Sequence, residues 1–203
     1  MSSSSSSIVP AAACPWPGDD PAYRAYHDLE WGRAVWDSNA LFEKFVLDSF
    51  QAGLSWLIIL RKREALRKAF ANFDLQKIAR FSEKKVTTLM ADTGIVRNRA
   101  KILATIRNAQ IALDMADAGR PFGPYLWDFV DGIPVMGAWH HIGDVPAQSA
   151  LSRRISKDMK QRGFSFCGPT IIYAFAQAVG IINDHLMTCP QRRACFNDYI
   201  KRR

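Results

Sequence analysis

The chain has 203 residues, 48% of them hydrophobic, enough for one well-buried core and short for two independent ones. Its 27 Lys and Arg against 19 Asp and Glu give a net charge of +8, a balance that suits a polyanionic partner without naming one. No apolar run approaches the roughly 18 uninterrupted residues of a membrane span. The first residues carry neither early cations nor a signal-like apolar stretch, so a cytoplasmic protein is expected.

Residues 1–13, which include six consecutive serines, read as a disordered tail. Residues 14–190 read as a single helical domain, and residues 191–203, with Arg192, Arg193, Lys201, Arg202 and Arg203, as a basic, solvated tail. After Asp37-Ser38, a plausible N-cap, Leu41, Phe42, Phe45 and Val46 recur at helical spacing, so a helix is expected from about Asn39. Gln51-Ala-Gly-Leu-Ser interrupts it at an exposed joint, and a second helix turns Trp56, Leu57 and Leu60 inward with Arg61, Lys62, Arg63 and Lys68 outward. Asp74 and Ser82 can cap two short helices, with Gly94 ending the second, and a long helix over 97–118 closes at Gly119. The two helices flanking Gly94 form a tight hairpin. Residues 121–135 read as loop, 149–162 and 170–181 as helix, and no convincing strand appears. The fold class is all-α.

Three groups of residues can carry chemistry. His185 and Cys189, four apart, share a face of a helix or helical turn, and Cys14 and His27 can complete a Cys2His2 set suited to Zn²⁺. The plainer reading makes Cys189 a small buried hydrophobe and His185 a core or capping histidine. Gly94-Ile-Val followed by Arg97, Asn98, Arg99 and Lys101 aims backbone N–H groups and cations at one point, where a phosphate fits. Trp16, Tyr23, Tyr26, Trp31, Trp36 and Trp56, interleaved with Asp28, Glu30 and Asp48, can sandwich a flat base or simply build an aromatic core.

Four strings, Tyr26-His-Asp-x-Glu30-Trp-Gly32, Gln51-Ala-Gly-Leu-Ser-Trp56, Arg162-Gly-Phe-x-Phe-x-Gly168 and Asn183-Asp-His185, stand in an order that closely resembles the 3-methyladenine DNA glycosylase I family, over about residues 14–189. The resemblance implies a diverged helix-hairpin-helix glycosylase. It would bind duplex DNA as a monomer and excise 3-methyladenine by base-excision repair. It also implies a structural Zn²⁺ on Cys14, His27, His185 and Cys189 that joins the two ends of the domain. Gly94, Arg97 and Lys101 would belong to the DNA-clamping hairpin, Gln51, Gly53 and Leu54 to the wedge that fills the gap left by the flipped base, and Trp16, Tyr23, Tyr26 and Trp56 to the base pocket. One departure stands out: the family's pocket glutamate aligns with Asp48, one methylene shorter, about 1.5 Å less reach. Beside the active glycosylase this leaves two alternatives, a paralogue that binds damaged or distorted DNA without cutting and a zinc-stabilised protein for a small purine ligand. An aspartate assisting the attacking water would come from Asp114, Asp117, Asp128 or Asp131.

Overall fold

The computed structural model describes residues 14–202; the serine-rich segment expected as a tail lies outside the described residues. Ten helices follow in chain order: α1 (Pro21–Leu29), α2 (Ser38–Gln51), α3 (Trp56–Ala69), α4 (Leu75–Ile78), α5 (Glu83–Ala91), α6 (Arg99–Asp117), α7 (Phe122–Trp127), α8 (Ala150–Gln161), α9 (Pro169–Ala178) and α10 (Pro190–Arg202). The all-α expectation holds. The exception is a two-residue parallel bridge, β1 (Val135–Met136) beside β2 (Ile182–Asn183), pairing Val135 with Ile182.

Side-chain caps start the helices where the sequence placed them. Asp37 accepts from the Ala40 N–H, Asp74 from Lys77 and Ser82 from Lys85, each satisfying a donor that has no partner inside its helix; α6, expected from residue 97, starts at Arg99 instead, with Asn98 as a cap that accepts from Lys101. Gly119, with φ +80°, ends the long α6 as expected.

Helix α2 is the centre of the molecule. It packs against α3, α6, α7 and α9, and Leu41, Phe42, Phe45, Val46, Leu47 and Phe50 are all buried. The Phe45 ring meets Phe122, Phe164 and Phe175 at centroid distances of 5.8–6.1 Å. Over its last two turns burial is continuous from Phe45 to Phe50, so a helix that is apolar on one stripe at its start is enclosed all round at its end. Asp48 and Ser49 are carried into the interior by that geometry.

The structure departs from the sequence expectation in four further places. In α3 the buried residues are Ile59, Leu66 and Ala69, while Trp56, Leu57 and Leu60 are only half-buried, Trp56 packing on the core's edge and lining a cavity. Helix α5 ends at Ala91, three residues before Gly94. Residues 122–127, expected as loop, form α7, whose Phe122, Tyr125, Leu126 and Trp127 are buried. The carboxyl end is no free tail: α10 buries Cys195 and Tyr199, pairs Asp198 with Arg33, and aims the Arg192 guanidinium at the Gly137 carbonyl at 2.8 Å. Tertiary burial overrides a Gly/Pro-rich or basic local composition in both segments.

Candidate active site

The end of α2, the start of α3, α1, α9 and the loop after β1 surround a cavity of about 260 Å³. That is below the roughly 300–1,000 Å³ of drug-sized sites, so it suits one small planar group. Trp16, Tyr23, Tyr26 and Trp56, the four rings expected there, all line it, together with Asp48 and Gln51. Trp16 meets Tyr23 edge-on at 4.9 Å, and Tyr26 lies 5.2 Å from Trp56. Burial, reinforced by the nearby Asp48 charge, raises the Tyr26 hydroxyl well above its usual range and keeps it a neutral phenol. Trp31 also lines the cavity.

Asp48 is 3% exposed and accepts from Lys44, one helical turn earlier, at 3.2 Å through Oδ1. Its Oδ2 and the indole N–H of Trp56 are buried with no protein partner. Unsatisfied buried polar atoms are rare because each costs about 1–3 kcal/mol, so two of them beside one cavity mark a place built for a ligand. Burial raises the Asp48 carboxyl and lowers the Lys44 ammonium to about 8, while each attracts the charged form of the other.

A second cavity-lining carboxylate went unassigned at the sequence level. Asp184 is buried and accepts from the Trp139 indole at 2.7 Å, the Tyr173 hydroxyl at 2.5 Å and Gln177 at 2.8 Å. It lay inside the Asn183-Asp-His185 string, and only the β1–β2 bridge reveals why it matters. The bridge seats the loop carrying Trp139, Ile142 and Val145 over the cavity, and Asp184 ties that loop down. Gly137 is required there, since a Cβ would stand 2.1 Å from the Asp184 carboxylate. Asp114, Asp117, Asp128 and Asp131 are all exposed and none lines the cavity. The carboxylates that do are Asp48 and Asp184.

Cys14, His27, His185 and Cys189 converge behind the aromatic wall, all buried, with their ligand atoms within 4.8 Å of one another. Cys189 Sγ lies 3.5 Å from His185 Nδ1 and 3.7 Å from His27 Nε2, and Cys14 Sγ 3.7 Å from His185 Nδ1. Zn–S bonds near 2.3 Å and Zn–N bonds near 2.0–2.1 Å at tetrahedral angles make an S–N edge of about 3.6 Å, so the four donors already outline that polyhedron. The outer ring nitrogens are held as metal-bound histidines usually are: His27 Nδ1 on Asp28 at 2.7 Å and His185 Nε2 on the Trp31 carbonyl at 3.0 Å. Hydrogen bonding from Cys14 and both imidazoles holds the Cys189 thiol far below its usual range, and the same contact raises Cys14. The set can hold a metal ion. His185 and Cys189 flank a turn at 187–188 and lie outside any helix.

The residues expected to meet DNA occupy two adjacent turns. Gln51 ends α2, and Gly53 and Leu54 lie between α2 and α3; the Leu54 N–H donates to Gln51 O at 2.7 Å, and Gln51 Nε2 to Leu54 O at 2.9 Å. Gly53, at φ +83° and with nothing within 4 Å of a built Cβ, is exposed. Gly94 sits in the α5–α6 turn, its N–H on Asp92 and its carbonyl taken by Lys62. Arg97 is exposed beside it. Lys101 differs from expectation: it is 6% exposed, and its ammonium donates to Phe50 O and Ala52 O, both at 2.8 Å. It caps the carboxyl end of α2 and locks the two turns together, with two of its three N–H donors on backbone carbonyls.

Comparison with known proteins gives concordant results. The methyladenine glycosylase family profile matches residues 16–193. The DNA-3-methyladenine glycosylase of Haemophilus influenzae is 42% identical over 177 residues, 87% of this chain and 96% of that protein. DNA-3-methyladenine glycosylase 1 of Escherichia coli is 44% identical over 176 residues, 87% and 94% of the two chains. A solved structure of a tyrosine-to-phenylalanine variant of 3-methyladenine DNA glycosylase I, in complex with 3-methyladenine, superposes with a TM-score of 0.85 at 37% identity, covering 88% of this chain and 96% of that one.

Proposed function

This chain belongs to the methyladenine glycosylase family, and we propose that it excises 3-methyladenine from alkylated DNA by swinging the base into the aromatic cavity and hydrolysing its N-glycosidic bond. It is a DNA-3-methyladenine glycosylase, an N-glycosyl hydrolase of base-excision repair. The observation that carries the reading is the unpartnered Asp48 Oδ2 inside a cavity walled by Trp and Tyr rings.

Methylation at N3 makes the adenine a cation, already a good leaving group, so the protein needs recognition more than acid catalysis. Aromatic faces attract a cationic purine over a neutral one, and the Asp48 carboxylate accepts from the base's N–H edge while balancing its charge. Water then forms a bond to C1′ as the C1′–N9 bond breaks; the electron pair goes to the base, which leaves neutral, and the water gives up a proton. Asp184, which accepts from three protein donors, holds the cavity rim and is a positioning residue.

Cys14, His27, His185 and Cys189 fit zinc in donor type, spacing and outer hydrogen bonds. Zinc held by them would supply a cross-link between the ends of the domain, and four protein ligands would leave no position for a reacting water. The α5–α6 turn serves as the helix-hairpin-helix clamp and residues 51–54 as the wedge, with Gly53 letting backbone approach the duplex closely. Cavity, wedge and clamp all come from one chain, which supports a monomer on double-stranded DNA. The net charge of +8 supports the polyanionic partner, and a cytoplasmic location accords with a DNA-repair role.

The test is to incubate the protein with methylated duplex DNA and separate the released bases. Free 3-methyladenine is expected. Stoichiometric binding to the methylated duplex without any released base would favour the non-cutting paralogue instead.

A further inference from the structure

Lys44 is a largely enclosed cation that the excision chemistry leaves without a role. It lies one helical turn before Asp48, so both side chains leave α2 on the same face. Its side chain is 14% exposed and does not line the base cavity. It enters a neighbouring cavity of about 170 Å³ that shares Tyr26 and Trp56 with the first. There its ammonium stands 3.4 Å from the centroid of the Trp56 ring and 5.2 Å from that of Tyr26, so the walls of the base pocket fix its position.

The other charged groups around it are already matched. Glu30, at the end of α1, pairs with Arg63 of α3 at 2.5 Å, and Glu43 of α2 with Arg67 of α3 at 2.7 Å. Helix α9 contributes only Ala178 to this cavity, followed by Val179 at its end. Asp48 is therefore the anion left for Lys44, and Asp48 accepts it with one oxygen only.

We propose that Lys44 is a positioning residue of the base pocket: its ion pair holds one Asp48 oxygen, leaves the other for the flipped base, and keeps this short carboxylate charged. The inference rests on the reading that Asp48 accepts from the base. Burial alone drives the Asp48 carboxyl toward its protonated form, and Lys44 is the group that opposes this. Without Lys44 the carboxyl would take up a proton at higher pH and stop being an acceptor. An opposite charge at this range moves a carboxyl by about one to three pH units.

Binding of free 3-methyladenine, followed by tryptophan fluorescence between pH 5.5 and 8.5, tests this in the wild type, Lys44→Met and Lys44→Arg. Comparing variants with wild type at each pH removes the titration of the base itself. For Lys44→Met the affinity relative to wild type should fall about tenfold or more near pH 6 and recover to within about threefold near pH 8.5, while Lys44→Arg keeps the wild-type profile. A Lys44→Met loss that is the same at every pH, or an unchanged profile, would overturn the proposal. Melting temperatures give a second readout that does not depend on the ligand. A buried acid whose folded pKa exceeds its unfolded value is at its most favourable while protonated, and its penalty grows as pH rises through the folded value. The Lys44→Met deficit in melting temperature should therefore widen from pH 5.5 to pH 8, and a constant deficit would contradict the Lys44–Asp48 link. Should no variant and no wild type bind the base while that deficit widens, the substrate reading fails and the Lys44–Asp48 link stands.

Discussion

Two of the buried polar clusters share Trp16 as a neighbour, and they are finished to different degrees. At Cys14, His27, His185 and Cys189 each ligand atom has neighbours at 3.5–3.7 Å and each outer imidazole nitrogen has its own acceptor. At Asp48 the carboxylate is half satisfied, and the Trp56 indole N–H beside it is unpartnered. Asp48 is as hidden from solvent as the four Cys and His side chains. The difference shows what each is for: a closed set of donors holds the chain together, while an open acceptor inside an aromatic box keeps a place for something that arrives.

Breaking the closed cluster should have the largest effect, and on stability. Cys189→Ser, or stripping the metal with a strong chelator, should lower the melting temperature by roughly 10 °C, because losing a structural metal ligand removes several kcal/mol and each is worth about 2–4 °C at this chain length. A melting temperature indifferent to both would remove the zinc assignment. Trp16 joins the two regions, its ring 5.2 Å from His27 and 4.9 Å from Tyr23. Trp16→Ala should accordingly act on both: roughly 5- to 100-fold weaker binding of 3-methyladenine, from about 1–3 kcal/mol of lost stacking, together with a melting temperature several degrees lower. An effect on one alone would mean that the clusters are independent.

The smallest effect separates bracing from DNA contact. Lys101→Met removes two hydrogen bonds to α2 carbonyls, so a loss of about 2–3 kcal/mol and several degrees is expected. The salt dependence of DNA binding should stay the same. A phosphate contact at Lys101 would instead flatten the slope of log affinity against log salt by about one, which salt titration of duplex binding detects.

Local signals explain what the sequence disclosed. The caps at Asp37, Asp74 and Ser82 and the stop at Gly119 depend only on neighbours within four residues, and the helices follow from them. Helices α7 and α10 were hidden because their stability comes from distant partners, as in the Tyr199 hydroxyl on Gly132 O at 3.0 Å. The pocket rings and the Cys2His2 set were legible through family resemblance, the ligand spacings of 13 and more than 150 positions being uninformative alone. What stayed hidden was the use made of polar side chains: Lys101 looked like one more cation of a basic hairpin, Lys44 like an ordinary helix-surface lysine, and Asp184 like filler between two ligand-bearing residues. Each takes its role from partners 40 or more residues away or from a ring it happens to face.

The open acceptor is tested most directly by Asp48→Asn, which keeps the shape of the side chain and removes its charge. Single-turnover release of 3-methyladenine from methylated duplex should be compared with wild type at pH 7, with melting temperature as the control for folding. The account predicts release from the wild type and a loss of about 10- to 100-fold in the variant, the value of a hydrogen bond to a charged group, in a protein that melts within a few degrees of the parent. Undiminished release from Asp48→Asn would contradict it.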